Sequence, residues 1–245
     1  MTTHSAELKI SVSGVRGIVN RSFTPELVRH FADAFGALAR GGKILLARDT
    51  RPSGTLYSDL VADCLARAGC RVVELGICPT PTLLWAVRHL KADGGIMLTA
   101  SHNPSGWNGL KFVDADGQFL GETKMRRLLK LTEGNSISRR RAGSRRRDHT
   151  ILRHYLGAIL AQVDRAAIRR RRFQVAIDPC NGAGAVLILG FLERLGCRIH
   201  AINTRPDGQF AHPPEPLPAH LNQLSHLVKK RGADIGFAQD PMRIV

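Results

Sequence analysis

Long apolar runs are missing from this chain, and none approaches the roughly 20 residues that a membrane helix requires. A membrane partner is therefore not expected. The opening residues, Met1-Thr-Thr-His-Ser-Ala-Glu7, lack a basic stretch followed by an apolar one, so no secretory pattern is present and a cytoplasmic location is expected. Paired cysteines at metal-ligand spacing are absent too. Cys64, Cys70, Cys78, Cys180 and Cys197 are odd in number and mostly sit in apolar surroundings, which favours reduced, buried thiols over disulfides or zinc ligands.

Acidic residues are scarce, with 20 Asp and Glu against 36 Lys and Arg for a formal net charge of +16. The excess lies largely in two arginine clusters. Arg139, Arg140, Arg141, Arg145, Arg146 and Arg147 form the first, and Arg169, Arg170, Arg171 and Arg172 the second. Such clusters attract polyanions by counterion release, which makes nucleic acid a partner to weigh. No aromatic residues are interleaved for base stacking, and the first cluster falls in a Gly/Ser-containing stretch between two well-patterned regions. A solvated linker is the expectation there.

What is present is a chain of 245 residues with 43% hydrophobic content, enough for one large or two ordinary domains with a real core. Its apolar runs and turn signals repeat. Residues 43–48, 71–75 and 94–99 read as strands, separated by helical patterns at 55–68 and 81–90; residues 173–177, 198–203 and 234–238 read as strands, separated by helices at 185–195 and 219–230. Two strand-helix-strand-helix-strand units imply α/β architecture, as two consecutive α/β/α domains with mainly parallel sheets and right-handed crossovers. Gly69 and Gly196 fall where left-handed helix caps are expected. An amphipathic piece around 125–131 precedes a polar stretch, and a helical pattern at 151–163 opens the second half, so the domains are placed at 1–150 and 151–245.

Gly95-Ile-Met-Leu-Thr-Ala-Ser101-His102-Asn103-Pro104 delivers a serine and a histidine from an apolar strand directly into a turn. The carboxyl end of a strand is where α/β sheets bind ligands. Ser101 and Asn103 equally suit a turn held by local side-chain to backbone hydrogen bonds, and spacing alone leaves both readings open.

The wording of this loop, Thr99-Ala-Ser-His-Asn-Pro104 with Asn108-Gly-Leu-Lys111 after it, resembles the phosphoserine loop of the α-D-phosphohexomutases. Further matches follow in the family's order: Ser13-Gly-Val-Arg16-Gly-Ile, Arg48-Asp-Thr-Arg51-Pro-Ser-Gly54, Asp178-Pro-Cys-Asn-Gly-Ala-Gly184, and Pro213-Pro-Glu-Pro216. The resemblance implies a phosphotransferase acting between the 1- and 6-positions of a hexose phosphate through a hexose bisphosphate. It implies Ser101 as phosphoryl carrier, Arg16 as a phosphate clamp, and His102 and Lys111 as candidate acid and base. Loop support remains the alternative for His102, and a plain phosphate contact for Lys111. Asp49 or Ser53 is expected to cap a helix, Asn181 to Gly184 to serve turn geometry ahead of phosphate binding, and His212 with its prolines to form a rigid loop.

The chain departs from the family at Gly236-Phe-Ala-Gln-Asp240-Pro-Met-Arg243, where three alternating aspartates followed by arginine would hold Mg²⁺ facing the phosphoserine. Only Asp240 remains, so the implied metal ligands are Ser101 and Asp240, and a weak Mg²⁺ site is expected. Counterparts of the family's third and fourth domains, which grip the sugar and its distal phosphate, are not seen. The expectation is a mutase of doubtful turnover, and the alternative is a degenerate, non-catalytic protein or fragment that binds polyanions through its arginines.

Overall fold

The computed structural model describes residues 7–12, 14–134 and 142–240. Two sheets organise them. In the first, β3 (Lys43–Arg48) is central, with β4 (Arg71–Ile77) parallel on one side and β5 (Gly94–Leu98) parallel on the other. The core of β3, Ile44-Leu-Leu-Ala47, is apolar at every position because helices cover both faces of the sheet. Ile44 and Leu46 join one core with α1 (Pro25–Ala39) and α2 (Gly54–Arg67), while Leu45 and Ala47 join the other with α3 (Thr80–His89).

Helix α1 was not foreseen in the sequence, although its signals are ordinary. Thr24 caps it by accepting from the Leu27 amide, Pro25 opens its first turn, and Val28, Phe31, Ala32 and Phe35 make one buried face. β1 (Lys9–Ser11), β2 (Gly14–Ile18) and β6 (Trp107–Asp114) extend the sheet beyond β5 through antiparallel pairings, so the order is β1-β2-β6-β5-β3-β4, with a further strand after β4. α4 (Glu122–Thr132) then packs against α1 through Met125 and Leu128.

That further strand is β7 (Ser144–Arg147), parallel to β4, and it corrects the solvated-linker expectation for this part of the arginine cluster. The cause is local charge: Arg145 forms ion pairs with Asp59, Asp63 and Glu74 at 2.6–3.1 Å, so its guanidinium is spent on acidic groups of α2 and β4. Arg139, Arg140 and Arg141 lie outside the described residues. The second cluster falls in α6 (Arg165–Arg171), which is exposed, with Arg172 capping it in the left-handed conformation at φ 49°.

The second sheet is parallel throughout, in the order β10-β8-β9, from β8 (Gln174–Asp178), β9 (Arg198–Ala201) and β10 (Ile235–Ala238). α7 (Ala185–Arg194) and α8 (Asn222–Arg231) make its crossovers, a short 3-10 turn, Pro218–His220, taking the start of the expected helix at 219–230. α5 (Ile151–Leu160) spans the two units, with Ile151 in a core of the first and Leu156 and Leu160 packed with Leu187 of α7. Gly69 and Gly196 take positive φ, as expected of caps. Among the described residues, no helix is long and apolar enough to cross a membrane.

Candidate active site

Ser101 sits three residues past the end of β5, with φ 58°, a left-handed conformation that a serine adopts only when its surroundings impose it. The imposing network starts at Asp49, fully buried at the end of β3. Asp49 accepts from the Arg51 amide through one oxygen and from Arg51 Nε, at 3.0 Å, and the Thr99 hydroxyl, at 2.6 Å, through the other. Thr99 Oγ1 in turn accepts the Ser101 amide at 3.0 Å. Burial pushes the Asp49 carboxyl up and the Arg51 guanidinium down, and the attraction of each for the other opposes both shifts.

Arg51, whose side chain is 0% exposed, spends its remaining donors on the serine loop itself. Nη2 donates to the carbonyls of Ser101, at 2.8 Å, and Asn103, at 2.6 Å, while Nη1 donates to those of Pro104 and Trp107. All five guanidinium N–H groups are used. The expectation that Asp49 or Ser53 caps α2 is therefore corrected: Asp49 is committed to Arg51 and Thr99, and the Ser53 hydroxyl accepts from the Asn108 side chain at 2.8 Å instead.

A cleft of about 100 Å³ opens at the serine, lined by Ser11, Gly14, Arg16, Thr99, Ser101 and Lys111 among others. Arg16 and Lys111 face the same side of the sheet, because Arg16 pairs opposite Gly109 and side chains two apart on a strand share a face. Gly109 is required at that crossing, since a Cβ there would come within 2.6 Å of the Val15 carbonyl oxygen. The Lys111 ammonium rests 5.0 Å from the Phe119 ring centre, a contact worth about 0.5–1 kcal/mol at an accessible position. His102 is exposed, outside the cleft lining, with Nδ1 3.5 Å from Ser101 Oγ.

Asp240 follows β10, buried, and does not line the serine cleft; its charge acts on Arg51. Among the described residues no three His, Cys, Asp or Glu side chains converge on a point. With Asp240 outside the serine cleft and its charge acting on Arg51, these residues alone do not fit a tightly held Mg²⁺.

The turn at Asn181 to Gly184 serves geometry, as expected. Cys180 and Asn181 take φ 49° and 53°, and Asn181 accepts the Thr50 hydroxyl at 3.0 Å through its carbonyl, tying the units together. The loop of His212 is pinned by Nε2 at 3.1 Å from the Asp178 carboxylate. The same loop brings Phe210 over Arg51, the ring centre 5.1 Å from the guanidinium carbon. Arg51, Thr99, Asn108 and Phe210 were missed as site residues. The Arg48-Asp-Thr-Arg51 motif held the signal for Arg51, but its reach across some 50 residues to the serine loop is a property of the sheet.

Residues 7–138 match the family profile "Phosphoglucomutase/phosphomannomutase, alpha/beta/alpha domain I", and residues 153–242 match that of domain II. A phosphoglucomutase/phosphomannomutase of Thermococcus kodakarensis is 39% identical over 236 residues, covering 93% of this chain and 52% of that protein. A phosphoglucosamine/phosphogalactosamine mutase of Sulfurisphaera tokodaii is 38% identical over 233 residues, covering 93% of this chain and 51% of that protein. Among solved structures, a phosphoglucomutase/phosphomannomutase family protein of Burkholderia thailandensis superimposes with a TM-score of 0.77 at 25% identity, over 97% of this chain and 57% of its own. The chain thus spans about half the length of the curated relatives it matches.

Proposed function

This chain belongs to the phosphoglucomutase/phosphomannomutase family, and on that footing we propose that it performs the phosphoserine chemistry of a phosphohexomutase, the exchange of a phosphoryl group between Ser101 and a hexose phosphate. The observation that carries this reading is the left-handed Ser101 turn, opening into a cleft with Arg16 and Lys111.

In the forward step, Ser101 Oγ attacks phosphorus of a hexose 1,6-bisphosphate. An Oγ–P bond forms, the P–O bond to the sugar breaks, the serine proton passes to a base, and that proton is returned to the leaving sugar oxygen, which departs as a hydroxyl. Arg16 offers a planar fork to the phosphoryl oxygens, and Lys111 leaves Phe119 to add a second cation, so charge spread over the transferring group is met on two sides. His102 Nδ1 is the nearby nitrogen able to take the proton, drawing closer than 3.5 Å when substrate orders the loop. In the opposite direction phosphoserine gives its group to the free hydroxyl of a hexose monophosphate, making the bisphosphate. Ser101 then takes back the phosphoryl group from the other position, so that a 1-phosphate becomes a 6-phosphate. Mg²⁺, if bound, would supply charge neutralisation to the transferring group; the resemblance makes Ser101 and Asp240 its ligands, but Asp240 lies outside the serine cleft with its charge acting on Arg51, so no step is assigned to the ion. We place the division between the two domains at Thr150, after β7. Substrate is a hexose phosphate or bisphosphate, and the chain acts in the cytoplasm.

Incubation with glucose 1,6-bisphosphate should add one phosphoryl mass to the intact protein, slowly, and Ser101→Ala should abolish the addition. Absence of the adduct, or its survival in Ser101→Ala, would remove the assignment.

A further inference from the structure

Phe210 belongs to the second unit, takes no part in the chemistry above, and yet covers the guanidinium that shapes the serine turn. We propose that Arg51 is the positioning residue of Ser101 and that Phe210 seats Arg51, so that packing of the second unit on the first sets the orientation of the nucleophile. The proposal rests on the reading of Ser101 as phosphoryl acceptor.

Ser101 is clasped at both ends of its own residue by one network. Its amide is held by Thr99 Oγ1, Thr99 donates to Asp49, Asp49 accepts Arg51 Nε, and Arg51 Nη2 returns to the Ser101 carbonyl. This closed ring fixes the left-handed φ, and with it the direction of Oγ. A single planar fork also fixes the carbonyls of Asn103, Pro104 and Trp107, a task that the three rotatable donors of a lysine on a flexible stem cannot reproduce.

In-plane directions of the guanidinium are thus all occupied, which leaves its flat face. Phe210 takes that face, in the geometry of a cation–π contact. Its place is determined by the turn of the second unit. Asn181 Nδ2 donates to the Gln209 carbonyl at 2.8 Å, the Asn181 carbonyl accepts the Gly208 amide at 3.3 Å, and Gly208 lies so close to Thr50 that a Cβ would come within 2.3 Å of the Thr50 carbonyl oxygen. Thr50 is the neighbour of Arg51, and its hydroxyl donates to Asn181. The loop of the second unit therefore reaches the serine through contacts at each step, ending on Arg51.

Two readouts test this on the full chain. Amide hydrogen exchange over 99–107, followed by mass spectrometry, reads the order of the turn without any substrate. The rate of Ser101 phosphorylation by glucose 1,6-bisphosphate reads the consequence. In Arg51→Lys, loss of charge-assisted hydrogen bonds should speed exchange in the turn by about 10-fold or more, with exchange in β8 unchanged. Phosphorylation should slow by about 100-fold, the scale of misplacement by an ångström. Phe210→Ala, a change at a partly exposed position, should speed turn exchange about 3-fold and slow phosphorylation about 10-fold, as expected for loss of one cation–π contact, and Phe210→Tyr should restore both. Wild-type behaviour of Phe210→Ala in both readouts, or a defect that Phe210→Tyr does not rescue, overturns the role of Phe210. Unchanged turn exchange in a folded Arg51→Lys overturns that of Arg51; if that variant does not fold, Phe210→Ala decides the proposal. A wild-type chain that takes no phosphoryl group sinks the function proposed above, while the exchange measurements still decide whether Arg51 and Phe210 order the turn.

Discussion

The turns that close the first strand of each strand-helix-strand-helix-strand repeat, at Asp49 after β3 and at Asp178 ending β8, share one device and differ in what they do with it. In both, one carboxylate oxygen accepts the amide two residues on, from Arg51 at 3.0 Å and from Cys180 at 2.9 Å. The second oxygen separates them. Asp49 gives it to Arg51 and Thr99, groups that hold the serine loop, whereas Asp178 gives it to Asn203 and His212, groups that hold connecting loops. The same carboxylate-to-amide bond thus serves the serine loop in the first unit and connecting loops in the second, although only the second turn, at Cys180 and Asn181, takes positive φ. The two turns differ in the residue two places after the aspartate, Arg51 in one and Cys180 in the other.

The sharpest way to break this comparison is to neutralise each aspartate in turn. Asp49→Asn should cost about 3–5 kcal/mol, because it leaves the Arg51 charge buried without its partner. Asp178→Asn removes hydrogen bonds without stranding a buried arginine, and should cost about 1–3 kcal/mol. Urea unfolding of both variants measures the difference. Equal costs would mean that the Asp49–Arg51 pair is no more demanding than an ordinary buried hydrogen-bond set.

Next in size is the joint between the units. Gly208→Ala sets a methyl against the Thr50 carbonyl at φ 72°, so about 1–3 kcal/mol should be lost. Gly232→Ala, at φ 59° and with open space around it, should cost only about 1 kcal/mol. Thermal melts of the two would show whether contact between units adds to the penalty of the left-handed backbone. Parity would deny the close approach of Gly208 to Thr50.

The smallest contrast lies in the thiols. Burial raises Cys78 to about 12 and, with it as the largest influence, Cys180 to about 11, and both are enclosed, whereas Cys197 is partly accessible. Alkylation of the folded chain at pH 8 should reach Cys197 first and leave Cys78 and Cys180 unmodified until the protein opens. Peptide mapping after timed iodoacetamide treatment would show the order, and early modification of Cys180 would contradict the packing of the Asp178 turn.

Periodicity and turn chemistry determined β3, β4, β5, β8, β9 and β10, the helices between them and the caps at Gly69 and Gly196, while motif order marked out Ser101; α1, whose signals are equally local, was passed over. These are local properties, set by residues within a turn or two of one another. Tertiary structure decided the rest. β7 looked like a solvated linker because four consecutive exposed residues with three arginines carry no strand pattern, and only the acidic groups of α2 and β4 make a strand of it. Arg51 looked like part of a turn because its partners at Ser101, Asn103, Pro104 and Trp107 lie about 50 positions away, brought close by the parallel pairing of β3 with β5. Phe210 carried no signal, since a cation–π contact exists only once two loops of different units have been folded onto each other. Long-range pairing of charged and aromatic groups is written in no window of sequence, because it depends on the crossovers that place distant strand ends side by side.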